Sequence, residues 1–584
     1  MYGTLNKEQK KFMDFASEAL DYQVARMNAL LNDTPLPEGP PSSNFLCLQA
    51  RGGRGKTWVT TCIIAKALSL GLVVAVSSFA GVAAQLLPFG ATCHRTYGLQ
   101  LSVDEVHPST LTSRSAQGKR LAHTSVHVID EVDCLHKNLF QAASDVTVRC
   151  VNDIWNLGTT EPFAGAFCLL VGDCHQCLPI TRGMSNDQAV LYSLVRSSEL
   201  FAHFSVTVLT IAQRTKGHKS FDDWLNLVSR NEAPGPLKLE DNVPPPTLRR
   251  IYIPRECFST TDLESALEYL FGPVPPPTGP FPDLNPRHAL LSSLNETVDE
   301  VNNIVLDNYV GGELMELHAS HELTDDSAGN DDAVAKVHAT QDYMKGVVEA
   351  GVPPSLLRLK KGACVMLLRN LLISEGLVNG TKLKVLSDVP EDGNDFMNVI
   401  HVETVPPPGG VKKPTKHWIP RFTFELTTPG GLRFIRRAFP LKLAYSSTAH
   451  KGQGQTILKC IADVRKDAFS HGASYVMTSR CQKYESLGFL HNPLEDTETR
   501  PSFANYVIQK ALDLKGVIGV ANPRVDAEQV EVESGEEEEE RERKKRAPRI
   551  VRDGPRPATF RAGGFSLQER RKANFEVVKH LYRT

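Results

Sequence analysis

The residues richest in chemistry form the octad Ala50-Arg51-Gly52-Gly53-Arg54-Gly55-Lys56-Thr57. An apolar run, Phe45-Leu46-Cys47-Leu48, precedes it, and a helical pattern from Trp58 to Leu70 follows. Strand, glycine-rich loop and helix in that order make a cradle for a polyphosphate. The glycines let backbone N–H groups turn inward. Lys56 can reach the β- and γ-phosphates, and Thr57 can hold Mg²⁺. The first position of this pattern is usually Gly; here it is Ala50, whose Cβ excludes much of the positive-φ region. A second apolar run, Val126 to Ile129, ends in Asp130-Glu131. Beside such a loop, Asp130 is expected near Mg²⁺ through water, and Glu131 can orient and deprotonate an attacking water. A third run, Phe167 to Val171, leads into Gly172-Asp173-Cys174-His175-Gln176-Cys177. Gln176 at the carboxyl end of that strand can touch the γ-phosphate or the attacking water. The Cys174/Cys177 pair has neither a second pair at zinc-ligand spacing nor a thioredoxin-like context, so neither metal nor redox work is expected of it.

These residues need a frame to hold them. From about residue 44 to 200, short apolar runs alternate with helical patterns; Leu72–Val76 is another expected strand. Runs so uniformly apolar predict a parallel sheet buried on both faces, with its ligand at the carboxyl ends of the strands. Residues 233–247 and 272–286 are proline-rich connectors flanking a helix predicted over Leu263–Phe271. A second alternation starts at His288-Ala289-Leu290-Leu291 and runs through Thr297 to Tyr309. A β-rich stretch follows from about 356 to 437, with Asn379-Gly380 as a hairpin signal. Beyond 525, the acidic run Glu536–Glu540 meets the basic run Arg541–Arg546. Such blocks are normally solvated. The basic run is equally consistent with a nuclear address or a DNA-binding arm, and Phe565 to Tyr582 with a short amphipathic helix.

With 584 residues, several domains are expected. A net charge of −2 carries no bulk signal for nucleic acid, so any track for it must be a local patch. Twelve cysteines spread singly suit a reduced intracellular protein, and no apolar run is long enough to span a bilayer, so no membrane partner is expected.

GDCHQCLP resembles the third helicase motif of the petite-integration-frequency (PIF-type) DNA helicases of superfamily 1B. Other segments match that family in order. LNKEQKKF, with Gln9, resembles the adenine-reading motif; SSFAGVAAQLLPFGATCHRTYGL resembles the segment contacting single-stranded DNA; LTIAQR, ending at Arg214, resembles the fourth motif. PPSLLRLKKGACVMLLRNLLISEGLVNGTKL is similar to the SH3-like insertion, YSSTAHKGQGQTI to the fifth motif and HGASYVMTSR to the sixth. Helicase modules of Helitron transposons share these features.

The resemblance implies an α/β fold: two RecA-like parallel-sheet domains with small inserted domains, one wedge-like and one SH3-like and β-rich. The boundaries expected are 1–200 for the first domain with a wedge at about 101–122, 201–355 and 431–524 for the second, 356–430 for the β-rich insert, and 525–584 for the tail. It implies a catalytic set of Lys56, Glu131, Gln176, Arg214 and Arg480. Arg214 ends the VTVLTIAQ run and Arg480 a strand-like YVMTS run; an arginine supplied across a cleft can stabilise transition-state charge. Gln9, Gly53, Arg54, Gly55, Lys56, Thr57 and Gly454 would hold ATP, with Mg²⁺ at Thr57 and Asp130. Ser77, Phe79, His94, Thr448 and His450 would face DNA, with Phe79 either stacking on a base or packing in the core. Arg433, Arg436 and Arg437 are either a hairpin's solvated face or part of the track. The implied activity is an ATP-dependent helicase that translocates 5′ to 3′ on single-stranded DNA and opens forked duplex, in replication, repair, recombination or telomere maintenance. A nuclear monomer is expected, with mitochondrion or cytoplasm as alternative locations. An RNA helicase of the same superfamily and a catalytically silent, transposon-derived DNA-binding remnant are the alternatives. The second is opposed by retention of every charged catalytic group.

Overall fold

The computed structural model describes residues 2–39, 43–100, 105–179, 187–235, 248–276, 279–324, 341–349, 351–372, 375–387, 399–405, 413–428, 433–467, 470–494 and 500–513. The chain opens with α1 (Lys7–Asn32), begun by a capping box in which Asn6 and Gln9 exchange side chain-to-backbone hydrogen bonds. A six-stranded parallel sheet follows, built from β1 (Phe45–Ala50), β2 (Val74–Ser78), β3 (Ala91–Thr92), β4 (Val126–Asp130), β5 (Phe167–Gly172) and β6 (Ser205–Leu209) in the order β3-β2-β4-β5-β1-β6. Strands β4 and β5 are buried throughout, because helices cover both faces. On one face, Phe12 and Leu20 of α1 and Val59 and Ile63 of α2 (Lys56–Ser69) pack on Leu46, Val74, Val128 and Leu169. On the other, Cys93 and Tyr97 of α4 (Cys93–Tyr97) and Phe140 and Val146 of α6 (Lys137–Trp155) pack on Ile129 and Leu170. Each such side chain contributes about 1.5–3 kcal/mol of burial.

Strand β2 begins two residues later than the apolar pattern suggested. Gly71 (φ +77°) and Leu72 instead end α2, their N–H groups donating to Leu68 O and Ala67 O at 3.0 and 3.1 Å. The short α3 (Gly81–Gln85) follows β2. In the region expected to form a wedge, residues 105–122 lie against the first domain and 101–104 fall outside the described residues. Arg149 of α6 donates to the carbonyls of Ser109 and Leu111, and Trp155 donates to Ala122 at the end of α5 (Ala116–Ala122). The first sheet also runs past residue 200, since β6 supplies the partner that the free edge of β1 requires. Between β5 and β6 lies α7 (Asp187–Ser193).

The second sheet is also wholly parallel. It contains β8 (Phe258–Thr260), β9 (His288–Ser292), β20 (Ser446–Thr448), β21 (Lys459–Asp463) and β22 (Leu487–Leu490) in the order β20-β9-β21-β22-β8. One face is covered by α9 (Leu263–Phe271), with the bounds expected, and α10 (Asn295–Tyr309). The other is covered by α8 (Lys219–Arg230), which crosses from the first domain with Phe221, Trp224 and Leu225, and by α13 (Ala473–Thr478). The YVMTS run was expected as a strand and is helical. Every residue of α13 is buried, so its sequence lacks the polar face that would reveal helical periodicity. An antiparallel pair, β7 (Leu248–Tyr252) and β23 (Ser502–Tyr506), completes this core through Ile251 and Phe503.

The β-rich region begins and ends farther out than 356 and 430. Strand β10 (Met315–His318) pairs with β12 (Leu356–Leu359), and β11 (Ser320–Leu323) with β18 (Arg433–Ala438), which also pairs with β17 (Phe422–Thr427). A five-stranded antiparallel sheet joins β16 (Lys416–Pro420), β15 (Val399–Thr404), β14 (Lys382–Val385), β13 (Cys364–Leu367) and β19 (Leu441–Leu443). Asn379-Gly380 ends the connection between β13 and β14; Gly380 (φ +92°) donates to Leu367 O at 2.7 Å. Arg436 is neither a solvated face nor a track residue. It is 1% exposed and donates to His321 Nε2 and to the carbonyls of Met344, Val347 and Pro353, fastening α11 (Gln341–Gly346). The fold is therefore the α/β class expected, two parallel-sheet domains with β-rich insertion. All twelve cysteines are free and buried, and no described helix is long and apolar enough to cross a membrane. The charged tail, 525–584, lies outside the described residues.

Candidate nucleotide site and nucleic-acid track

The phosphate loop leaves β1 and enters α2. Ala50 is the last residue of β1, paired with Leu209, and does not adopt positive φ, so an alanine costs nothing there. Two later positions do require glycine. Gly53 (φ +78°) and Gly55 (φ +82°) are left-handed, and added Cβ atoms would lie 2.5 Å from Arg214 Cβ and 2.5 Å from Gln9 Nε2. Both glycines thus let another chain segment press against the loop. Gln213 and Arg214 donate their backbone N–H groups to Gly53 O at 2.8 and 2.9 Å. Gln9 donates its amide to Arg54 O and Gly55 O at 3.4 and 3.3 Å. Its side-chain oxygen accepts from Asn6, so Gln9 supports the loop from behind.

A cleft of about 950 Å³ opens in front of the loop. Lys56, Thr57, Asp130, Glu131, Gln176, Arg214, Gly454 and Arg480 all line it. Lys56 Nζ bonds Ala50 O and lies 3.9 Å from Asp173 Oδ2. Asp173 also accepts from Gln176 Nε2 at 2.8 Å and from His175. Burial opposes ionisation of Asp173, but Lys56, His175 and Gln176 outweigh it and hold the carboxyl well below its ordinary range. Asp173 stands inside the GDCHQC segment at the end of a buried strand. That position was the available signal for it, and sequence reasoning passed over it in favour of Gln176.

Asp130 Oδ1 accepts the Glu131 N–H at 2.9 Å, and Glu131 adopts the left-handed conformation (φ +53°). A non-glycine residue held there marks a constrained site. Burial, then the Asp130 charge, raises the Glu131 carboxyl to about 7. Burial also raises Asp130. The two arginines meet at the loop: a Cβ on Gly52 would lie 3.6 Å from Arg214 Nη1 and 3.7 Å from Arg480 Nη2. Arg214 stands in a loop past the end of β6, not at a strand's end, and donates to Ser479 O at 3.2 Å. Burial, then the Arg480 charge, lowers Arg214 to about 10. Arg480 is 1% exposed and spends its donors on Val476 O, Gly452 O and Ser479 Oγ.

The loop is gripped across the domain gap by two further contacts that sequence reasoning missed. Gly52 N donates to the Tyr475 hydroxyl at 3.2 Å, and Arg54 Nη2 lies 2.8 Å from Asp222 Oδ2 of α8. The Arg54 side chain therefore turns to α8, and any part it takes with nucleotide in this arrangement falls to its backbone.

The residues expected to face DNA divide. Phe79 is 37% exposed, its ring centroid 6.2 Å from that of His94, so it does not pack in the core. Thr448 and His450 are partly buried at α12 (Ala449–Gly452) of the second domain, and the His450 Nε2 has no partner among the described residues. Ser77 is excluded from such a surface: it is fully buried within β2 and donates to Val128 O at 2.9 Å. Strand β2 is buried on both faces, so a hydroxyl at either register lies in the first domain's packed interior.

Residues 40–232 match the family described as PIF1-like helicase, and residues 342–387 match the DNA helicase Pif1 2B domain. The chain is 37% identical over 141 residues to the ATP-dependent DNA helicase PIF1 of Danio rerio, covering 24% of this chain and 20% of that protein. It is 32% identical over 156 residues to the Homo sapiens protein of the same name, covering 25% and 21%. These matches thus span about a fifth of the length of those curated relatives. Among solved structures, the Pif1 helicase from Bacteroides in complex with ADP-AlF3 and single-stranded DNA has a TM-score of 0.55 at 18% identity, covering 90% of this chain and 97% of that one. The Pif1 helicase from Candida albicans has a TM-score of 0.54 at 19% identity, covering 87% and 98%. At such identity the structural likeness speaks for the fold, and over residues 40–232 and 342–387 the chain is similar to the PIF1-like helicases.

Proposed function

We propose that the protein is an ATP-dependent DNA helicase that moves along single-stranded DNA and separates duplex ahead of it. The observation that carries this reading is one cleft shared by Lys56, Asp130, Glu131 and Gln176 of the first domain, Arg214 in the loop past β6, and Arg480 of the second domain. Lys56 neutralises phosphate charge. Glu131, raised toward neutrality, is poised to take a proton from water. Asp173 holds Lys56 and Gln176 in place. Arg480 now bonds its own domain's carbonyls; turning toward a γ-phosphate, it would exchange those partners for transition-state charge. Thr57 and Asp130 fit a divalent cation, because burial leaves Asp130 short of compensating charge. Mg²⁺ held there would neutralise charge on the β- and γ-phosphate oxygens.

Hydrolysis would then alternately close and open the gap spanned by Gly52–Tyr475 and Arg54–Asp222, shifting the strand along Phe79, His94, Thr448 and His450. Hydroxyl and imidazole groups hold phosphates without reading sequence, and an exposed phenyl ring can stack on any base. The relatives named above are DNA helicases, which favours DNA over RNA; 5′ to 3′ polarity rests on the motif resemblance alone. Unwinding of duplexes bearing 5′ or 3′ tails, of DNA and of RNA, tests the reading. Lys56→Ala is expected to abolish ATP hydrolysis and unwinding while single-strand binding persists. Undiminished hydrolysis in that variant, or no unwinding of any substrate by the parent, would refute it.

A further inference from the structure

A second cavity, of about 260 Å³, lies beside the phosphate loop and shares Arg54 with the main cleft. Arg51, Arg54, His175 and Asp222 line its inner part, and Thr210 and Arg230, both exposed, stand at its mouth. Three features make it more than a gap in packing. First, Arg54 lines both cavities and is 2% exposed, yet only its Nη2 is paired. Its Nε and Nη1 have no hydrogen-bond partner among the described residues. Buried guanidinium donors without partners are costly and mark a place for an anion. Second, the lining is cationic on balance. Arg51, Arg54 and Arg230 face Asp222 and Asp223. His175 adds to this: burial works against its charge, but Cys174 and Asp173 raise it to about 9. Third, the two cavities adjoin. Arg54 lines both; the Tyr475 hydroxyl bonds Gly52, which lines the main cleft, and its ring centroid is 6.1 Å from that of His175, which lines the side cavity.

We propose that this side cavity is an oxyanion site through which inorganic phosphate leaves after ATP hydrolysis. The proposal rests on the reading of the main cleft as a site of ATP hydrolysis. A γ-phosphate bound at Lys56 would sit next to Asp173 and His175. After cleavage, and once the Gly52–Tyr475 contact parts, phosphate would meet the free donors of Arg54 and the His175 imidazolium. Diphosphate and nucleoside would stay in the main cleft, on the other side of the loop. The volume suits the passenger: at about 30 Å³ per water, the cavity holds a tetrahedral anion with part of its hydration shell.

Two measurements test this. Asn226 lines the cavity from α8 and not the main cleft, so Asn226→Trp fills the route while leaving the cleavage residues untouched. In a single turnover, chemical cleavage read by acid quench is expected to stay within about twofold of the parent. Phosphate appearance, read by a phosphate-binding fluorescent reporter, is expected to slow by about fivefold or more, because release becomes the limiting step. Phosphate appearing in step with cleavage in Asn226→Trp would overturn the proposal. The second measurement needs no turnover: inorganic phosphate is titrated into the ADP-loaded protein by calorimetry. Arg54→Met keeps the apolar stem and removes the donors, and is expected to weaken phosphate binding about tenfold, the worth of a charged hydrogen bond. Asn226→Trp is expected to weaken it likewise. Phosphate affinity unchanged in both variants would overturn the site even if hydrolysis proceeds. A parent that cleaves no ATP but binds phosphate in this way would refute the hydrolysis reading and leave the oxyanion site standing.

Discussion

Tyr475→Phe removes one oxygen atom, and that atom joins the two domains. The hydroxyl accepts the Gly52 N–H at 3.2 Å, while the ring packs in the second core beside Phe221, Val476 and Cys481. Phenylalanine keeps that packing, so global stability should change by less than about 1 kcal/mol. In the closed arrangement, however, the variant leaves a peptide N–H facing a ring edge. Opening the gap lets water satisfy it. The cost of an unsatisfied buried donor is about 1–3 kcal/mol. Gly52 is only part-buried, so the lower half applies, about 1–2 kcal/mol. The closed population of nucleotide-free protein should therefore fall roughly 5- to 30-fold relative to the open one. Dyes at Ser69→Cys on the first domain and Gln482→Cys on the second would report the gap by single-molecule energy transfer. Both sites are exposed and every native cysteine is buried, so labelling is selective. With nucleotide bound, a phosphate oxygen can take the N–H, so the difference between parent and variant should shrink. An unchanged distribution in the nucleotide-free state would refute the reasoning, since it would mean that this contact does not contribute to closure.

Other outcomes follow from the same geometry. Burial, then the Asp130 charge, raises the Glu131 carboxyl above its ordinary range, so at mildly acidic pH the folded state holds a proton that the unfolded chain has lost. That contribution to stability is lost as pH rises through the raised folded value, so Glu131→Gln should stabilise the nucleotide-free protein more at pH 8 than at pH 4.5, read from urea midpoints. Gly172→Ala would place a Cβ 2.0 Å from Asp133 Oδ2 and 2.7 Å from Gln49 Nε2. It would displace the buried Asp133–Arg196 pair, at an expected cost of about 3–5 kcal/mol in denaturant unfolding. Arg436→Met strips the partners from three carbonyls around α11, so hydrogen exchange there should speed up by an amount equivalent to about 2–3 kcal/mol while the phosphate loop stays protected.

What could be read from the sequence alone was whatever depends on neighbours in the chain. The loop from Ala50 to Thr57, the carboxylates that end β4 and the glutamine past β5 are local units of strand, turn and helix. Their residue types were enough to indicate phosphate chemistry, and their order along the chain was enough to indicate a PIF-type architecture. Burial and distant pairing were out of reach. Ser77 and Arg436 are polar residues whose interior places are decided by partners elsewhere, Val128 in one case and the 344–353 segment in the other. The run at α13 could not be told from a strand, because a helix buried on every side shows no periodicity. The β-rich region reached outward to Met315 and Leu443 because edge strands there find partners far along the chain. Asp173, Tyr475 and the Arg54–Asp222 pair owe their significance to the approach of two domains, which local sequence pattern does not encode. The sequence thus determined which groups are suited to phosphate; the tertiary structure decided which of them line the cleft, which brace them, and which contacts span the gap between the domains.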